Sequence, residues 1–150
     1  MAVTWSKFRE ADPALADFGK DRLQGRIAYL ATIRRDGSPR VHPVSPIIAE
    51  GHLFVYMEPT SPKAHDLRRS PGYMLHCGVE DNEGGQGEFL VAGHAFEIGD
   101  AAARTAAFQQ AKTLGMSPQE RYVLFELRVA QAMATLYDAT GPKRTKWKSG

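Results

Sequence analysis

Two tight turns in the first third of the chain constrain its fold more than any other feature. The segment RRDGSPR (34–40) carries the Asp-Gly pair typical of a β-hairpin, and AEGH (49–52) is a second short turn. They separate three apolar segments that we interpret as strands: 26–33, 40–48 and 52–58. Parallel neighbours need crossover connections of about a dozen residues or more, so these strands are predicted to be antiparallel. A doubly wound parallel sheet is therefore not expected.

The rest of the chain continues this alternation of strands and short helices. Three further apolar segments predict strands, the last of them as one long strand or two joined by a bend: 73–79, 88–98 and 121–139. N-cap, proline and glycine signals predict three helices: 12–24, 62–69 and 101–114. About six strands in meander order predict a mostly β protein whose antiparallel sheet closes into a small barrel. We expect a single domain over 1–150, with an N-terminal helical region (1–25) and a basic, extended tail (141–150).

The segment RVHPVSPII is unusual for a strand because it contains Pro43 and Pro46. Proline cannot donate to a sheet ladder, so this segment is predicted to lie at a sheet edge or to face something other than a strand. The strand at 26–33 is apolar on both faces, which predicts an interior position.

Composition excludes several classes of function. The net charge of +2 is too small to favour nucleic acid or an anionic membrane surface as a partner. No apolar run approaches the roughly 20 residues of a membrane span, and the N-terminus lacks the apolar region of a signal peptide. Cys77 is the single cysteine, so no internal disulfide can form and a cytoplasmic location is expected. The five histidines show no metal-ligand spacing, so no metal site is expected.

The segment EPTSPKAHDLRR (58–69) places a lysine where a helix start disfavours one. Ser61 is a predicted N-cap and Pro62 a predicted first helical residue. Lys63 follows, although a helix N-terminus already carries about half a positive charge. Either the lysine is simply solvated, or it joins the free N–H groups of the first turn in binding an anion such as a phosphate.

Three segments together resemble a known family. AYLATIRRDGSPRVHPV, LFVYMEPTSPKAHDLRRSP and EFLVAGHA are similar, in order and spacing, to the pyridoxamine 5′-phosphate oxidase-like family of FMN-binding split β-barrels. The resemblance covers roughly residues 23–98. It implies an antiparallel six-stranded split β-barrel of the FMN-binding type.

The resemblance also implies a cofactor site. The residues matching the phosphate-binding serine and lysine of the family are Ser61 and Lys63, although Pro62 stands where a basic residue is common. The strand matching VHPVS would run along the flavin ring, and a tail aromatic would approach the cofactor. The further implied cofactor-binding residues are His42, Pro43, Val44, Ser45, Tyr56, Met57 and Trp147.

The implied activity is that of an FMN-dependent oxidoreductase which transfers a hydride between a small organic substrate and the flavin; no catalytic residue is assigned. One alternative is a deazaflavin-dependent reductase of the same superfamily, with Arg68, Arg69 and Lys143 on the cofactor tail. Another is a non-catalytic flavin or haem carrier or sensor. The family forms homodimers with the cofactor site at the subunit interface, so a homodimer is also expected.

Overall fold

The computed structural model describes residues 1–150 and contains four helices and eight strands. The helices are α1 (Trp5–Ala11), α2 (Pro13–Leu23), α3 (Pro62–Arg69) and α4 (Ala101–Thr113). The strands are β1 (Ala28–Ile33), β2 (Pro39–Val44), β3 (Ile47–Ala49), β4 (His52–Met57), β5 (Gly72–Cys77), β6 (Glu88–Ile98), β7 (Val123–Asp138) and β8 (Gly141–Lys148). No helix is both long and apolar enough to cross a membrane.

All strand pairs are antiparallel, in the order β2-β1-β5-β6-β7-β4-β3, with β8 also paired to β7. The two ends of this order, β2 and β3, are consecutive in the chain and separated only by Ser45 and Pro46. Three Cα steps span at most about 11 Å, so the two sheet edges must lie close together. The sheet therefore curls into a barrel that is open between β2 and β3. The prediction of a mostly β, split-barrel-like fold is confirmed.

The strand count differs from the six predicted, for two local reasons. Pro46 interrupts the segment 40–48, so its two parts become β2 and β3 at opposite edges. The tail at 141–150 is extended as predicted, but it pairs with β7 as β8, and the Trp147 ring packs 4.9 Å from that of Phe8. The segment 121–139 forms one strand, with a register shift opposite Ala92 and Gly93.

The strand that contains the prolines lies at a sheet edge, as predicted, and its prolines remove no donor from the ladder. The Arg34 N–H donates to the Ser38 carbonyl (2.8 Å), and hydrogen-bonded pairs then alternate along β1 and β2. Pro39 and Pro43 fall at the non-bonded pairs, so their nitrogens face outward from the sheet edge. Of the outward-facing positions of β2, only Val41 keeps an N–H, which protects the edge against pairing with another strand.

Helix signals locate three of the four helices. The side chains of Asp12, Ser61 and Asp100 accept hydrogen bonds from the first turns of α2, α3 and α4. Helix α1, capped by Thr4, was not predicted; it buries Trp5 and Phe8 against the barrel core.

The core has two parts. A cluster of 25 buried residues fills the barrel, with Phe8, Phe89 and Phe125 among its largest members. A second cluster of six residues lies between the outside of the sheet and α4, where Ala107 and Ala111 pack with Phe54.

The strand at 26–33 is interior in the sheet but not covered on both faces. Ala28, Leu30 and Thr32 are buried inside the barrel, whereas Tyr29 and Ile33 on the outer face are 47% and 39% exposed. The predicted interior position is confirmed within the sheet, where β1 lies between β2 and β5, although one apolar face of the strand is open in a single chain.

A buried carboxylate fastens α3 to the first hairpin. Asp66 is 3% exposed and accepts hydrogen bonds from the Thr32 hydroxyl (2.8 Å), the Arg40 Nε (2.7 Å) and Arg69 (3.1 Å). Burial by itself raises the pKa of Asp66, but these hydrogen bonds outweigh it and hold the pKa below its ordinary value. The network joins α3 to β1 and β2, the elements that carry the predicted cofactor residues.

We expect Asp66→Asn to lower the free energy of unfolding by about 2–4 kcal/mol, because it leaves Arg40 without its buried partner. Because folding lowers the pKa of Asp66, its contribution is full above the pKa of an unfolded aspartate, about 3.9, and is lost as the pH falls further. The difference between the variant and the wild type should therefore shrink in acid. Urea denaturation between neutral and acidic pH measures this.

Asp17→Asn is the matched control, because Asp17 pairs with Arg9 on the exposed surface and its loss should change stability little. Equal stability losses in the two variants would show that the Asp66 network does not hold α3 in place.

Candidate functional site

The start of α3 is built as its sequence predicts. The Ser61 hydroxyl accepts from the Ala64 N–H (3.3 Å) and donates to the Glu58 carbonyl (2.8 Å), and Pro62 occupies the first helical position. Both hydrogen bonds of the hydroxyl are made within the chain. Ser61 therefore shapes the turn that precedes the lysine.

Lys63 is partly buried and makes neither an ion pair nor a hydrogen bond within the chain. Burial lowers its pKa, and the charge of Glu58 opposes this only partly, since Glu58 is paired with Arg121. A partly buried ammonium without a partner is costly, and an anion would compensate it.

Lys63 lines a cavity of about 280 Å³ together with four other residues predicted to contact the cofactor, Pro43, Val44, Ser45 and Tyr56. These residues come from β2 and the link that follows it, β4 and α3, which the sheet order and the Asp66 network bring together. No carboxylate lines the cavity, so its electrostatic character is positive. The structure thus assembles five of the nine predicted residues around one space.

The other four predicted residues lie in different places. His42 is exposed beside the cavity; burial, then the charges of Lys63 and Arg40, lower its pKa. Ser61 does not line the cavity. Met57 is 3% exposed inside the barrel core. Trp147 lies at a separate apolar cavity of about 430 Å³, beside Met133. Within one chain, Met57 and Trp147 are therefore apart from Lys63.

The far wall of the cavity was missed by sequence reasoning. It comes from the segment after α4, which contributes Met116, Ser117, Pro118 and Tyr122. The Ser-Pro pair signals a turn, but nothing local shows that this turn folds against β2. The closeness of this turn to β2 follows only from the sheet order, in which β7 pairs with β4.

The cations considered for a deazaflavin tail all have partners within the chain. Arg68 pairs with Glu97 (2.7 Å) and Arg69 with Asp66 (3.1 Å). Lys143 pairs with Asp138 (2.8 Å). Binding a ligand through them would first require these contacts to break.

The side chains of Cys77 and Glu88 both have partners within the chain. Cys77 is 1% exposed and its sulfur accepts from the Phe89 N–H (3.2 Å), as expected for a core residue. Glu88 contacts the Tyr137 hydroxyl and lies 3.4 Å from His76. Nowhere do three His, Cys, Asp or Glu side chains group closely enough to hold a metal ion.

Comparison with known proteins gives similarity in structure only. No family model matches the chain, and no curated protein matches its sequence. Conserved hypothetical protein Rv2991 from Mycobacterium tuberculosis is similar in structure, with a TM-score of 0.66 and 18% identity over 91% of this chain and 84% of that one. An F420 reductase is similar with a TM-score of 0.60 and 16% identity, over 75% of this chain and 94% of that one.

A heme-binding protein from Mycobacterium smegmatis is also similar, with a TM-score of 0.62 and 18% identity over 80% of this chain. This chain spans about half of that protein, 52% of its length. At such identities the similarity establishes the split-barrel-like fold, which hosts both a reductase and a heme-binding protein.

We expect Lys63→Met to leave the folded protein as stable as the wild type or more stable, by roughly 0.5 kcal/mol. Folding lowers the pKa of Lys63, so the charged form costs stability at all pH values below the folded pKa. Arg40→Met should instead lower stability by about 1–3 kcal/mol, because Arg40 has a buried partner. Urea denaturation of both variants checks this, and a marked destabilisation by Lys63→Met would assign Lys63 a structural role.

Proposed function

We propose that this chain binds FMN with its phosphate at Lys63 and acts as a flavin-dependent oxidoreductase. The observation that carries the proposal is the partly buried, unpaired ammonium of Lys63 in a cavity without carboxylates. A phosphate there would meet the lysine and the positive end of α3 together. The likeness of the fold to that of an F420 reductase supports a redox role.

The remaining lining supports a flat ligand next to β2. Val44 ends this strand and Ser45 follows it, and Tyr56 presents an aromatic ring across the cavity. The outer edge of β2 offers carbonyl oxygens rather than N–H groups, because Pro39 and Pro43 occupy two of its outward positions. Carbonyl acceptors suit the ring N–H of a flavin.

When bound, FMN would supply two-electron chemistry: a hydride from a C–H bond of an organic donor would be accepted, and the donor would release a proton to water. The two electrons would pass to an acceptor such as dioxygen, which with two protons becomes hydrogen peroxide. The protein's own contribution would be binding and orientation. Lys63 neutralises the phosphate, and β2 with Tyr56 orients the ring.

Deazaflavin binding is the second candidate, and the similarity to an F420 reductase favours it. The pairing of Arg68, Arg69 and Lys143 inside the chain argues against those residues as its ligands. A heme carrier is the third candidate, favoured by the similarity to a heme-binding protein. The mass and absorbance of the small molecule released by denaturing the purified protein distinguish all three.

We further propose that a second copy of the chain covers the outer face of β2, β1 and β5. Tyr29, Ile33, Val41 and Met74 lie on this face and are 47%, 39%, 65% and 42% exposed. Adjacent large apolar side chains of this kind mark an interaction surface. His76 also lies on this face beside Tyr29, but Glu88 is 3.4 Å away and offsets its charge, so the apolar side chains around it suit contact with an identical face.

Lys63→Ala should weaken FMN binding by more than about 1.5 kcal/mol, as expected for loss of a charge-assisted contact. Titration calorimetry of the apo-protein measures the change. Lys20→Ala is the matched control, because Lys20 is an exposed lysine on α2 that does not line the cavity. If both variants bind FMN like the wild type, Lys63 is not part of the site.

The wild-type protein should sediment as a dimer, and the double variant Val41→Glu/Met74→Glu as a folded monomer, because burying two carboxylates in an apolar interface is unfavourable. Val79→Glu is the control, since Val79 is 43% exposed but lies beyond β5. A wild-type monomer in sedimentation velocity, or a double variant that stays dimeric, would contradict this interface.

A further inference from the structure

A second cavity adjoins the one at Lys63. It has a volume of about 610 Å³ and is lined by Tyr56, Arg104, Thr105, Phe108, Gln109, Pro118, Gln119 and Glu120. Tyr56 and Pro118 line both cavities, so the two spaces are neighbours. The second cavity extends away from β2 and Lys63, toward the first two turns of α4.

Arg104 is the cation of this second cavity. It is partly buried and donates to the Tyr122 carbonyl (3.0 Å), but it has no carboxylate partner, unlike Arg40, Arg68 and Arg69. Burial raises the pKa of the Tyr56 hydroxyl, and the positive charge of Arg104 partly offsets this rise. Arg104 therefore lies beside the residue that both cavities share.

The other lining groups suit a planar molecule. The Phe108 side chain is 44% exposed although it is large and apolar, and Tyr56 is also aromatic. Gln109 and Gln119 add amide groups at the solvent side. Glu120, the one carboxylate of the lining, is exposed, so water and salt screen its charge.

We propose that the second cavity, with Arg104 in its lining, binds the carboxylate or phosphate of a planar organic acid beside the cavity at Lys63. The guanidinium plane offers paired N–H donors to such a group, and aromatic rings pack well on flat ligands. As an assignment of the substrate class, a planar organic acid, this rests on the flavin-dependent function proposed above. As a binding site, it does not depend on the cofactor.

The test uses benzoate and its neutral analogue benzamide with the full-length, ¹⁵N-labelled protein, first without FMN and then with it. Benzoate should shift the amide resonances of Thr105, Phe108, Gln109 and Gln119 in a saturable manner, whereas benzamide should bind at least about fivefold more weakly. Arg104→Gln should weaken benzoate binding by at least about fivefold, and Arg104→Lys by less, because it keeps the charge.

Arg35→Gln is the matched control: Arg35 is an exposed arginine in the first hairpin turn and makes no ion pair, so this variant should bind benzoate like the wild type. Amide spectra of the variants report whether the fold is intact. Equal binding of benzoate and benzamide, shifts elsewhere on the surface, or an Arg104→Gln variant that binds benzoate normally would each overturn the site.

The same variants show whether the anionic group bound at Arg104 belongs to a substrate or to the cofactor. If Arg104→Gln weakens FMN or F420 binding and leaves benzoate binding unchanged, the anion belongs to the cofactor and the substrate assignment is overturned. If benzoate binds through Arg104 in a protein that binds no flavin, the proposed function fails while the site itself stands. Benzoate binding that persists with FMN present, and is lost in Arg104→Gln, supports both the binding site and the substrate assignment.

Discussion

The buried carboxylate of Asp66 is the interaction on which the candidate site depends. It draws Arg40 of β2, Thr32 of β1 and the last turn of α3 to one point, so the first turn of α3 is held beside the same hairpin. Lys63 is three residues before Asp66, and its ammonium therefore stays next to the end of β2 at Val44 and the following Ser45. The hydrogen bonds of Asp66 thus hold α3, a short surface helix, in place as one wall of the cavity.

The two residues between β2 and β3 complete the arrangement. Because Ser45 and Pro46 carry the chain from one sheet edge to the other, the end of β2 lies near β4 and the segment that precedes β7. That proximity sets Tyr56 opposite Lys63 and brings α4, with Arg104, to the far side of Tyr56. Two cations without carboxylate partners are left on either side of one aromatic residue, which is the arrangement that both proposals use.

Local features of the chain were predicted well because their causes are local. The Asp-Gly turn, the N-caps at Asp12, Ser61 and Asp100, and the exact extent of the strand at 88–98 depend on residues a few positions apart. Helix α1 was missed because only seven residues and one cap signal it, and its stability comes from burying Trp5 and Phe8. The pairing of β8 was missed because its many charges hide the alternation that puts Trp147 against Phe8.

The amino-acid sequence by itself determined that the strands are antiparallel, that the fold is mostly β, and that Lys63 stands at a helix start, because turn length and capping act within a few residues. Only the tertiary structure decided which cations are free and which are paired. Arg40 and Arg68 look like Lys63 and Arg104 in the sequence, but their carboxylate partners, Asp66 and Glu97, are more than 20 residues away and meet them only on folding. Only the tertiary structure also decided which face of β1 is exposed. Both faces are apolar, and the direction in which the sheet curls determines which of them lies inside the barrel.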